Sequence, residues 1–121
     1  MHVELSALPV RHLFDEFPPP RADTSASVAA RVAIARDTQM RRQGTLNARL
    51  APAQVAAVCR LDRESRALIA TAITRLGLST RAFHRVLKVA RTCADLDGCT
   101  EIRCTDVSEA VKLRTLDRLT C

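Results

Sequence analysis

The sequence predicts an all-α protein, a bundle of four to five helices entered through an extended N-terminal arm. Three observations predict it. Apolar residues make up 47% of the 121 residues but aromatics only 2%, so the core has to be built from Ala, Val, Leu and Ile, which suits close-packed helices. Only three glycines interrupt the chain. From residue 61 to residue 96 the apolar positions recur with a helical period instead of alternating.

A chain of this length holds one domain with one modest core. Its first 25 residues differ from the rest: "MHVELSALPV" contains a short strand-like piece, and "FPPPRADTSAS" is a proline-rich connector that cannot be helical. A strand with no partner strand in the sequence points to a piece of a larger protein. Residues 1–25 are therefore read as an extended segment belonging to a preceding core or linker, and residues 26–118 as the helical domain.

Ser25 or Ser27 is the expected cap of a helix running to about Gln43, with Val28, Val32, Ala35 and Met40 near one face and Gly44 as its stop. Residues 45–51 read as a loop, and Pro52 fits the first position of a short helix to about Cys59. Asp62 caps the next helix, in which Leu61, Ser65, Leu68, Ile69, Ala72, Ile73 and Leu76 form one stripe that ends at Gly77. Ser79 caps a helix to about Leu96 that is apolar on two faces, Ala82, Val86, Val89 and Cys93 on one, Phe83, Leu87, Ala90 and Ala94 on the other. A helix apolar nearly all round belongs at the centre of a bundle. Asp97-Gly98 stops it, and Thr105 or Asp106 is the expected start of a last helix through about Leu113.

Nineteen basic against thirteen acidic residues give a formal charge of +6, and seventeen of the basic residues are Arg, the side chain suited to bidentate contacts with phosphate or carboxylate. That balance admits a nucleic-acid or nucleotide partner, while the scarcity of aromatics argues against single-strand binding through base stacking. Neither G-x-x-x-x-G-K-[ST] nor G-x-G-x-x-G occurs, so the chain has no phosphate-cradling loop of its own. No nucleophile, base and orienting group recur at useful spacing, which disfavours an independent enzyme. The five cysteines, at 59, 93, 99, 104 and 121, lack C-x-x-C spacing and read as reduced structural thiols rather than metal ligands. His2 and His12 fall in the N-terminal segment, and His84 reads as a surface histidine among arginines. No apolar run is long enough for a bilayer and no signal-peptide region opens the chain, so the expected location is the cytoplasm.

One residue is out of place. Arg81 sits in the first turn of the helix capped by Ser79, where the helix dipole favours an acid. Two readings stand side by side on the residues alone. Arg81 pairs with a carboxylate such as Asp62 or Glu64, or it joins the free N–H groups of the helix start in a site for a phosphate-like anion. Arg85 and Lys88 extend the basic edge at helical spacing and suit both readings. Arg91, four residues before Asp95, reads as half of an intrahelical ion pair.

The stretch "LGLSTRAFHRVLKVARTCADLDG", followed by "IRCTDVSEAVKLR", resembles the C-terminal domain of the bacterial magnesium chelatase-like AAA+ ATPases of the ComM/YifB group, and "ARDTQMRRQGTLNARL" and "LDRESRALIATAITRLGLS" match the earlier part of that domain in order and spacing. "HVEL" resembles the strand leaving the AAA+ core of those proteins. The resemblance covers residues 2 to about 118. It implies a lid domain in which Arg81 matches the sensor-2 arginine that contacts the terminal phosphates of the nucleotide, with Arg85 as a candidate support. It also implies ATP and Mg2+ as cofactors of the full-length protein, with none expected for this domain alone. The implied partners are the AAA+ core of the same chain and neighbouring subunits in a hexamer; DNA is a further candidate, as the substrate of a branch-migration helicase-like motor. The competing reading is a free-standing basic helical module that binds DNA or protein partners directly. Departures from the family pattern are Phe83 in place of a common Tyr, Cys93 in place of an aliphatic residue, and Arg103-Cys104 in place of a capping pair. The last of these suggests that the final helix begins a residue or two late.

Overall fold

Each helix of this protein begins where a proline or a side-chain oxygen deals with its first free N–H groups, and these starts define the architecture. The computed structural model describes residues 1–7, 10 and 23–119, with side chains through residue 114. Helix α1 (Ser25–Gln43) is capped by Thr24, whose Oγ1 accepts from the Ser27 N–H at 3.1 Å. The cap is thus neither Ser25 nor Ser27: the Ser27 hydroxyl donates back to the Thr24 carbonyl at 2.9 Å, completing a reciprocal turn one residue earlier than expected. Gly44 closes α1 with φ 72°, a conformation glycine reaches without strain.

Residues 45–51 were expected to be a loop but contain a 3-10 turn, Asn47–Arg49, in which Asn47 is 1% exposed. Helix α2 (Pro52–Val58) starts at its proline, and the Gln54 side chain reaches back to accept from the Ala51 N–H at 2.9 Å. Helix α3 (Arg63–Leu76) is capped by Asp62, which accepts from the Ser65 N–H at 2.7 Å, and it ends at Gly77 with φ 56°. Helix α4 (Thr80–Leu96) is capped by Ser79, whose Oγ accepts from the Ala82 N–H at 3.2 Å. Helix α5 (Cys104–Leu119) begins earlier than Thr105 or Asp106, because the Asp106 carboxylate turns back and accepts from the Arg103 N–H at 2.8 Å. It also runs past Leu113, since no glycine or proline lies between residues 113 and 119 to break it.

The five described helices form a bundle around α4, which packs against α1, the 3-10 turn, α2 and α5, while α3 lies on α5. The core is aliphatic, as the composition requires: Leu50, Val55, Cys59, Ile69, Val86, Leu87, Ala90, Ala94, Ile102, Val107 and Ala110 form one buried cluster. Ala90 and Ala94 are fully buried one turn apart on α4, and residues this small allow a neighbouring helix to approach closely. Phe83 packs on the edge of the cluster and Cys93 is half-buried. The α3 stripe is buried or half-buried throughout, from Leu61 to Leu76.

One expectation about burial fails. The apolar face foreseen for α1 is not covered: Val28, Val32 and Met40 are 43%, 42% and 49% exposed, and only Ala35 and Gln39 are buried. Among the described residues, only the C-terminal half of α1 meets the bundle, and it does so largely through polar side chains. The strand-like "HVEL" forms no strand; residues 1–7 are irregular, and the His2 N–H donates to the Leu113 carbonyl at 3.2 Å. The one β-type pairing among the described residues is a parallel bridge between Leu61 and Ile102, tying the approach to α3 to the approach to α5. The proline-rich connector and the greater part of the 1–25 segment lie outside the described residues, as do His12 and Cys121. No described helix is long and apolar enough to cross a membrane.

Cys59, 4% exposed beneath α3 and α4, has its thiol pushed up to about 11 by burial, against the weaker opposing pull of Arg91 and Arg42. It should therefore resist alkylation at neutral pH in the folded protein and become reactive only on unfolding. Iodoacetamide labelling followed by peptide mass mapping checks this; modification of Cys59 as fast as that of half-buried Cys99 would place it at the surface.

Candidate functional site

The start of α4 projects Arg81, His84, Arg85 and Lys88 along one side of the helix, at intervals that keep them on neighbouring turns. They line a cleft of about 890 Å³ together with Met1 from the N-terminal segment and Arg114 from α5. No acidic residue lines this cleft among the described residues, and α4 has no acid in its first turn. Below the cations the wall is apolar, with Val86, Val89, Ala110 and Leu113.

Arg81 and Arg85 are both exposed, and neither forms an ion pair or side-chain hydrogen bond among the described residues. The pairing of Arg81 with Asp62 or Glu64 is thus not made; the Asp62 carboxylate faces the first turn of its own helix instead, and hydrogen bonding to Ser65 holds it below its ordinary value. Lys88 is committed, donating to the Ala48 carbonyl at 3.2 Å. His84 is half-buried, its ring 5.7 Å from that of Phe83. The sequence places Arg81, Arg85 and Lys88 together; it does not announce Arg114, which joins them only because α5 packs alongside α4. Among the described residues the cleft gathers two unpaired guanidiniums, a capped helix start and no carboxylate, a chemistry suited to an anion.

What holds this surface in place lies at the other end of α4. Asp95, with no exposed side-chain surface, accepts from Arg42 through both carboxylate oxygens, at 2.7 and 3.0 Å. Asn47 donates to it at 2.9 Å and Arg91 at 3.2 Å. Asn47 is itself fixed on every side. Its N–H donates to Gln39 at 2.9 Å, its amide also donates to Thr92 at 3.1 Å, and its oxygen accepts from Arg42 and Gln43 at 3.0 and 2.9 Å. Arg91 spends its remaining donors on the carbonyls of Thr100 and Cys99, at 2.9 and 2.7 Å. The intrahelical pair expected of Arg91 and Asp95 is therefore present, but as one edge of a network joining α1, the 3-10 turn, α4 and the α4–α5 loop. Burial alone would raise the Asp95 carboxyl; the hydrogen bonds from Arg42 and Asn47 and the charges of Arg91 and Arg42 outweigh it and hold the group below its ordinary value.

The described residues thus form an aliphatic helical bundle with a cationic edge on its central helix. Residues 22–114 match the family described as magnesium chelatase, subunit ChlI C-terminal, and the chain belongs to that family. It is 40% identical over 99 residues to the competence protein ComM of Haemophilus influenzae, and 42% identical over 97 residues to the uncharacterized protein YifB of Escherichia coli. These alignments cover 82% and 80% of this chain but 19% of each relative, so the chain spans about a fifth of the length of the curated relatives it matches. A YifB of Salmonella typhimurium is 40% identical over 99 residues.

The network generates two predictions. Replacing Arg91 with Ala leaves Asp95 paired with Arg42 but removes one of its donors and those of two loop carbonyls, and should cost about 1.5–3 kcal/mol of unfolding free energy, the range for hydrogen bonds to charged groups; urea unfolding followed by circular dichroism measures it. Asp95 has its folded pKa depressed, so its stabilisation is present in full above the ordinary carboxylate value of about 3.9 and is lost as pH falls from there through its lower folded value. Acid unfolding should therefore steepen below that value in the native protein, and Asp95→Asn should flatten this limb while lowering stability at neutral pH. An unchanged acid limb in the variant would exclude Asp95 as its source.

Proposed function

We propose that this domain is the lid of a longer AAA+ ATPase and that Arg81 is its sensor-2 residue, contacting the terminal phosphates of ATP bound by a core outside these 121 residues. The observation that carries the reading is the unpaired Arg81 guanidinium at the Ser79-capped start of α4, on a cleft with no carboxylate among the described residues. Family membership supports it, because the matching relatives are about four times as long as this chain and have room for such a core.

The residues present fit a phosphate. Arg81 can offer two parallel N–H donors, and Arg85, one turn on, adds charge to the same rim. They do not fit the metal that accompanies it: among the described residues no group of His, Cys, Asp and Glu could hold an ion, so Mg2+ would be bound elsewhere in the longer protein. Bound nucleotide supplies the negative charge that this domain answers; the domain itself supplies orientation and charge. Contact with Arg81 would couple the phosphate state to the position of α4 and, through Asp95 and Arg42, to α1. The full-length protein would then be an ATP-hydrolysing motor, working as a hexamer and acting on DNA in the manner of a branch-migration helicase. One of its relatives carries the name competence protein.

Because Arg81 is exposed and the helix dipole opposes it, Arg81→Ala should change the unfolding free energy of the domain by no more than ~0.5 kcal/mol. In the full-length protein the same substitution should lower ATP turnover about a hundredfold, the scale of losing one preorganised donor to a charged transition state. Thermal melts of the domain and steady-state hydrolysis by the full-length variant test both halves. Normal turnover in a domain destabilised by the substitution would make Arg81 a structural residue and end the assignment.

A further inference from the structure

A second groove, of about 410 Å³, lies between α2 and α3 with α4 as its floor. Buried Ile69 and Leu87 form the base, and half-buried Ile73 and Phe83 leave part of their apolar surface open to it. Arg60 and Arg66 line the rim; both are exposed, and neither forms an ion pair among the described residues. Among the described residues no Asp or Glu lines the groove. It is separate in chemistry from the cleft at Arg81, which presents a row of cations along one helix; here cations flank an apolar trough.

We propose that this groove is a docking site for an acidic peptide segment that carries bulky apolar side chains. The trough accepts side chains by burial, which has no directional demand, and is within the size range of sites that enclose such groups. The two rim arginines add the selection: a segment with carboxylates beside its apolar anchors pairs with both, whereas a basic segment is repelled. A nucleic acid satisfies the rim but leaves the apolar floor without a partner, so a peptide is the better match. The stretch Leu13-Phe14-Asp15-Glu16-Phe17 has this chemistry in sequence, two of the chain's three phenylalanines bracketing two adjacent acids, and it provides a defined probe.

The experiment uses a fluorescein-labelled peptide, RHLFDEFPPP, corresponding to residues 11–20. The receptor is the full chain carrying Phe14→Ser and Phe17→Ser, so that its own copy of the stretch does not compete. Fluorescence anisotropy should show saturable binding that weakens as salt rises. Reversing both rim charges, Arg60→Glu with Arg66→Glu, should weaken it at least about tenfold, and a peptide carrying Asp15→Lys and Glu16→Lys should show the opposite preference. Amide chemical shifts should move at Ile73 and Phe83, and Arg81→Ala should leave the affinity unchanged, which separates this site from the nucleotide contact. Circular dichroism verifies that the exposed rim substitutions leave the fold intact. Absence of saturable binding, indifference to charge reversal, shifts centred on Arg81, or displacement by a duplex oligonucleotide that itself depends on Arg60 and Arg66 would each overturn the proposal.

Discussion

Asp95 is a carboxylate removed entirely from water in a domain whose buried apolar cluster is, apart from Cys59, Ala, Val, Leu and Ile. An unpaired charge there would cost several kcal/mol, and the position of α1 follows from avoiding that cost. The helix meets the bundle through Gln39, Arg42 and Gln43 rather than through a continuous apolar stripe, and the 3-10 turn exists where Asn47 can bridge the two. The cluster holds two arginines against one aspartate, so a single carboxylate does not balance it. The surplus positive charge is met by the Thr100 and Cys99 carbonyls, which also fix the loop leading to α5.

This explains which parts of the fold were legible in the sequence. The stripes of α3 and α4 and their caps, Asp62 and Ser79, are local signals: period, hydroxyl or carboxylate, glycine stop. They appear in the structure where the sequence puts them. The burial of Asn47, Arg91 and Asp95 has no local signal, because each residue type is usually solvated and the partners Arg42 and Asp95 stand far apart in sequence. For the same reason Val28, Val32 and Met40 looked like the buried face of α1: their spacing is right, but tertiary polar pairing settles where that helix docks. The early start of α5 turns on Asp106 facing backwards, a rotamer that the sequence does not encode by itself.

The candidate site divides in the same way. Arg81 was visible because it contradicts a local rule, a cation where the dipole favours an anion, and residues that break local rules are where function is to be sought. Arg114 and the apolar wall beneath the cations were not visible, since they depend on α5 lying beside α4. The structure thus separates two sets of arginines. Arg42 and Arg91 are consumed in holding the helices together, whereas Arg81 and Arg85, on the same central helix as Arg91, have no ion pair among the described residues.

That separation carries an evolutionary consequence. Arg42, Asn47, Arg91 and Asp95 satisfy one another, so loss of the carboxylate in a descendant chain would strand two cations and select for compensating changes at all four positions. Such positions drift together or not at all. Arg81 has no such tether: it can be exchanged in a single step with little penalty to folding, and only selection on what it touches can preserve it. Covariation among homologues should therefore join residues 42, 47, 91 and 95 into one block while residue 81 stands outside it, invariant in chains that use the cleft and free to vary in chains that have abandoned it.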